Sequence, residues 1–193
     1  MTLLATAAVT AAAAAATLLG GSLSQTGTTG PARVDQPPGA RAVPTVTVNL
    51  RTSTPALKKC YPSSRSQVTV GLTTDTLGKD SFVIRAWGLR ARTDYTVFLI
   101  QKADPNFGAA EYIGDFTTNT KGQAVNVFYL IVEEAFAFNN ATKARTDLNS
   151  IGFWFADPKD DDGCLGKNSP VTGFDGDGSA GVQMMNSGPT KLP

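Results

Sequence analysis

The sequence predicts an all-β fold: an antiparallel β-sandwich of seven to eight strands with one short surface helix. Three observations point to it. Apolar and polar residues alternate with period two in a series of short segments. Turn-forming Gly, Pro, Asn and Asp separate those segments at regular spacing. Only residues 139–149 read as helical, with Asn140 as the cap and too little apolar content for a buried face.

From the start of the chain, residues 1–30 carry no charge, and residues 3–19 are almost entirely Ala, Leu, Thr and Val. Such a run is expected to act as an export signal over residues 1–24, with Ser22-Leu23-Ser24 as a small-x-small cleavage point. An uncleaved anchor is the competing expectation, weakened by the mild hydropathy of Ala and Thr, since a span wants about 20 strongly apolar residues. Residues 25–44 hold Gly, Thr, Pro and Arg without periodicity and read as a flexible linker. The folded domain is expected over residues 45–193, enough for one core. The mature protein is then secreted, free of the membrane once the signal is removed, and monomeric.

Within the domain, residues 46–50 (VTVNL) and 67–72 (QVTVGL) alternate cleanly. Residues 82–87 (FVIRAW) put Phe82, Ile84 and Ala86 on one face and Val83, Arg85 and Trp87 on the other. Residues 95–100 (YTVFLI) are apolar on both sides, as a central strand should be. Residues 111–117, 123–131, 151–156 and 181–185 complete the set. Residues 133–138 (EEAFAF) suit either a strand or a turn packing two Phe.

Residues 88–97 (GLRARTDYTV) place Leu89, a turn, and Tyr95 at the head of an apolar strand. The pattern resembles the tyrosine corner of immunoglobulin-like and fibronectin type III sandwiches. The resemblance implies a fold and a phenol hydrogen-bonded back to the turn, and it implies no activity. Residues 107–118 leading into Gly122, with residues 174–178 (FDGDG) near the end, resemble a group of exported actinobacterial proteins without assigned function. That likeness implies a bacterial, secreted β-sandwich and supplies no catalytic residues.

Cys60 and Cys164 are the two cysteines, and in an exported chain such a pair reads as a disulfide tying the start of the domain to its end. Loop-closure models give about 4–5 kcal/mol for a bridge of this span, and measured bridges about 2–4 kcal/mol.

The chain has no histidine. Ser-His-Asp triads, Cys-His dyads and imidazole-based zinc or copper sites are therefore excluded. No Gly-rich phosphate loop lies between a strand and a helix. A net charge of +1 argues against nucleic acid as a partner. The charge is unevenly spread: residues 33–102 hold eleven Lys/Arg against four Asp/Glu, and residues 103–193 hold six against twelve.

Two acidic loops concentrate that negative charge. Asp157, Asp160, Asp161 and Asp162 form one, and Asp175 and Asp177 the other. Carboxylates at close spacing with Gly between them suit Ca²⁺, although no closing Glu completes an EF-hand. The bland reading is solvated turns, with Asp and Gly supplying turn geometry. Trp87 and Trp154 would stack on sugar rings if both faced outward, against the commoner role of Trp as a core or sheet-edge filler.

These observations favour a secreted non-catalytic binding or surface module, stabilised by Ca²⁺ if the acidic loops meet, with an unknown extracellular ligand or surface component as its partner. The alternative is a carboxylate-dependent hydrolase of polysaccharides, with one Asp from each acidic loop across a cleft.

Overall fold

The computed structural model of the chain describes residues 42–132, 134–173 and 178–192. The expected signal and all but the last residues of the linker fall outside these, as do Asp175 and Asp177. The described chain is all-β and antiparallel, with a few short helices.

Eight strands form one continuous sheet: β1 (Thr45–Thr52), β2 (Arg65–Gly71), β3 (Asp80–Trp87), β4 (Asp94–Ile100), β5 (Ala110–Thr117), β6 (Ala124–Leu130), β9 (Ser150–Phe155) and β12 (Gln183–Asn186). The intervening β7 (Phe136–Asn139) and β8 (Ala144–Asp147) make a separate hairpin, and β10 (Thr172–Gly173) and β11 (Ser179–Ala180) a two-residue ribbon. Across the large sheet the order is β5-β4-β9-β12-β1-β2-β3-β6.

β1 is shared by two halves of that sheet. Its residues Thr45 to Leu50 pair with β2, while Arg51 and Thr52 pair with Asn186 and Met185 of β12. The sheet bends at this strand and curls toward a barrel, so that its two end strands come together. There Asn126 Nδ2 donates to the Asp115 carbonyl at 3.0 Å, and the Phe128 ring packs over Gly114.

Alternation then decides what is buried. Val48, Val68, Val70, Phe82 and Ile84 point inward from one half. Tyr95, Val97, Leu99, Ile151, Phe153 and Phe155 meet them from the other, forming a single core. Tyr95 sits at its centre, with ring centroids 5.2–5.5 Å from Phe116, Phe153 and Phe155. Its hydroxyl is buried near the Arg90 backbone but meets no hydrogen-bond geometry among the described residues. Burial, and after it Tyr61, push the phenol pKa well above its ordinary value, while the Arg90 backbone pulls the other way.

β9 is buried at every position, because its outer face is covered as well. Phe98, Ile100 and Trp154 form a second cluster there with Ala180 of β11, and Phe107 packs against it. Trp154 is 1% exposed, so it fills the core as the commoner role of Trp suggests, and it offers no ring to a sugar. Gly152 is required beneath it: a Cβ would lie 2.8 Å from the Trp154 ring and 2.9 Å from Gln183 Nε2.

The helix expected over 139–149 is instead the β7–β8 hairpin. Asn139 Oδ1 accepts from the amides of Ala141 and Thr142, at 2.9 and 3.0 Å, and Lys143 adopts a left-handed φ of 55°. This Asx turn competes successfully with a helix that has no apolar face to bury. Helices occur elsewhere: α1 (Pro55–Cys60), α2 (Thr74–Leu77) and α3 (Asp162–Leu165). Thr54 caps α1, accepting from the Leu57 amide at 3.3 Å, and Leu57 is buried in the core.

Asp80 fastens the far end of the first half. Its fully buried carboxylate accepts from the amides of Thr73 (2.7 Å), Thr74 (2.9 Å) and Val132 (2.9 Å), joining α2 and the exit from β6 to β3. Burial alone would raise its pKa, but the amides together outweigh burial and hold it below the ordinary carboxylate value. A depressed folded-state pKa contributes stability that is present above the unfolded value of about 3.9 and is lost as pH falls through the folded value. Asp80→Asn is therefore expected to cost about 2–4 kcal/mol in urea unfolding at pH 7. It should also flatten the acid limb of the stability–pH profile below about pH 4. An unchanged acid limb would remove this role.

Candidate functional site

The acidic loop leaves β9, enters a 3₁₀ turn at Pro158–Asp160 and continues into α3. Three of its four carboxylates are occupied by the fold. Asp157 caps the turn, accepting from the Lys159 amide at 2.8 Å. Asp160 pairs with Arg90 Nη1 at 2.8 Å, and the same nitrogen also donates to the Asp160 carbonyl. Burial, reinforced by Asp157, Asp94 and Asp161, holds the Asp160 carboxyl above its ordinary range despite Arg90.

Asp161 is fully buried. One carboxylate oxygen accepts from the Ser169 hydroxyl and the other from the Val182 amide at 2.9 Å. Gly181 allows that approach, since a Cβ there would stand 2.6 Å from Asp161 Oδ2. Asp162 lies half-buried in the first turn of α3. Among the described residues no three His, Cys, Asp or Glu side chains gather as metal ligands.

The loop is also a junction. Cys164 of α3 is bonded to Cys60 at the end of α1 with a Cα–Cα distance of 5.8 Å, across a sequence separation of 104. Through the disulfide, Arg90 and Val182, three remote segments meet here. The loop's density of aspartates is legible in the sequence, whereas its partners are not, because each lies far away along the chain.

A different surface is left unoccupied by the fold: the outward face of β1, β2, β3 and β6. Register lays it out as a grid. Asn49, Gln67, Arg85 and Val125 form one row, and Thr47, Thr69, Val83 and Val127 the next. Tyr129 stands opposite Ser81, and Trp87 opposite Arg65. Val125, Val127, Tyr129 and Ile131 are 45–66% exposed, a contiguous apolar strip along β6, the last strand of the sheet, and the residue that follows it.

Two hollows flank the strip. One, of about 400 Å³, is lined by Trp87, Thr117, Asn119, Gln123 and Val125 among others. The second, of about 320 Å³, is lined by Val83, Tyr129, Leu77 and Lys79 among others. The Arg65 guanidinium lies 5.2 Å from the Trp87 ring centroid and Lys79 Nζ lies 4.9 Å from that of Tyr129. The sequence signal for this face is that residues 124–131 are apolar at both alternating sets of positions except Asn126, which equally describes a central strand.

No protein-family model, curated protein or solved structure matches the chain. Function is accordingly read from these residues.

Two stability effects follow from the junction. Cys60→Ser should destabilise by about 2–5 kcal/mol in oxidising buffer, and Asp161→Ala by about 1–3 kcal/mol. Because both act on one loop, the double variant should lose less than the sum. Strict additivity in chemical denaturation would show that the loop is not held as a unit. Since Asp157, Asp160 and Asp161 already have partners, millimolar Ca²⁺ should leave the melting temperature unchanged in calorimetry. A rise of several degrees would show that a cation takes their place.

Proposed function

We propose that the chain is a secreted, non-catalytic binding module of the immunoglobulin-like or fibronectin-like sandwich type, and that its ligand face is the outer surface of β1, β2, β3 and β6. The observation that carries this reading is the exposed strip Val125, Val127, Tyr129 and Ile131, adjoining half-buried Trp87. Isolated exposed apolar residues are ordinary, but a contiguous row of them marks a surface built to meet a partner.

Other features support the reading. The chain passes between the halves three times, from β3 to β4, from β5 to β6 and from β6 through the hairpin to β9, as Greek-key sandwiches do. The disulfide suits an oxidising, extracellular setting. Among the described residues no helix is long and apolar enough to cross a membrane.

The test is sedimentation of the purified chain with insoluble polymers, using chitin, cellulose, peptidoglycan and calcium-crosslinked polygalacturonate. At least one should carry the chain down without release of reducing ends. A Val127→Ser/Tyr129→Ser variant should bind about tenfold more weakly while melting within a few degrees of the parent, because exposed substitutions change stability by only about 0.5 kcal/mol each. Equal binding by the variant, or no binding to any polymer, would overturn this reading.

A further inference from the structure

Resting on that reading, we propose that the ligand is an extended acidic polysaccharide lying along β3, with its rings on Trp87 and Tyr129 and its anionic groups on Arg65, Lys79 and Arg85.

The charge on the face is one-sided. Outward positions of the four strands carry Arg65 and Arg85, Lys79 adjoins them, and no outward position holds Asp or Glu. None of these three cations makes an ion pair among the described residues, where only Arg90 and Arg145 are matched, with Asp160 and Asp147. Three cations without answering carboxylates, on a nearly neutral chain, create a local positive field that a neutral glycan would leave unused.

The layout also suits a polymer better than a compact ion. Trp87 and Ser81, the partner of Tyr129, lie six residues apart on β3, so the two aromatic subsites stand about 20 Å apart. Each has its own hollow and its own stacked cation. Arg85 projects between them, beside Gln67, whose amide is held by Asn49 at 3.1 Å. A ring's apolar face can rest on the aromatic while its carboxylate meets the neighbouring guanidinium or ammonium, and the amide row offers donors and acceptors to hydroxyls. A duplex fits less well, because its bases are stacked inside and leave nothing for Trp87 and Tyr129 to stack on, and single-stranded nucleic acid is the competitor that the experiment must distinguish.

The experiment is titration calorimetry of the full chain with soluble polygalacturonate, its fully methyl-esterified form, and a single-stranded oligonucleotide. The free acid should bind, and the ester should bind at least about tenfold more weakly. Arg85→Gln should weaken binding to the acid about tenfold, should reduce its salt dependence, and should leave the melting temperature unchanged. Trp87→Ala should weaken binding to both forms. Equal affinity for acid and ester, an Arg85→Gln variant as tight as the parent, tighter binding of the oligonucleotide, or no binding of the acid would each overturn the proposal. If a neutral polymer is bound through Val127 and Tyr129, the acidic class fails while the binding face stands. If no polymer uses that face, both fail.

Discussion

The fold depends on β1 belonging to two halves of one sheet. Six of its residues hydrogen-bond to β2, and the last two turn to β12. This division makes the sheet bend instead of extending flat, and the bend brings two inner faces against one core. Backbone polar groups can be buried only when paired, so a strand serving both halves lets the chain enclose its aromatics without exposing a seam beside β12. Tyr95 and the phenylalanines around it fill the space that the bend creates. Their ring contacts are a result of the sheet's path and also the apolar burial that stabilises it.

At the opposite pole, the acidic loop shows how a suggestive composition can serve structure. Four aspartates within six residues attract the thought of a cation. Each described carboxylate with a resolved partner has a backbone amide, a hydroxyl or a guanidinium in its place. The loop joins α1, the turn before β4 and the entry to β12. Asp80 does similar work at the other end, where three amides converge on one carboxylate. Paired in this way, buried charge defines where loops sit more sharply than apolar contact does.

The strands of the large sheet were readable because side-chain patterning and turn residues are local properties, and all eight segments expected as strands became strands of that sheet. Their order was not readable. Nothing within residues 45–52 reveals that the strand changes partner after Leu50, because pairing is decided by chain elsewhere. Residues 139–149 misled for a related reason: composition permitted a helix, while Asn139 supplied a turn to two amides of its own. Trp154 shows the same limit. Its strand alternates, but a ribbon and Phe107 cover the side that would otherwise face water. The apolar strip on β6 was visible as residues, and only its place at the end of the sheet makes it a surface.

The Cys60–Cys164 bond also governs how the chain responds to proteolysis. It closes a covalent ring that runs from α1 through β2 and onward to α3, enclosing most of the strands. A protease that severs any single peptide link inside this ring opens it without releasing a fragment. The severed ends remain tethered to the same body, and the sheet can re-form around the nick. Loops within the ring can therefore tolerate cutting that would dismantle an unbridged chain of the same topology.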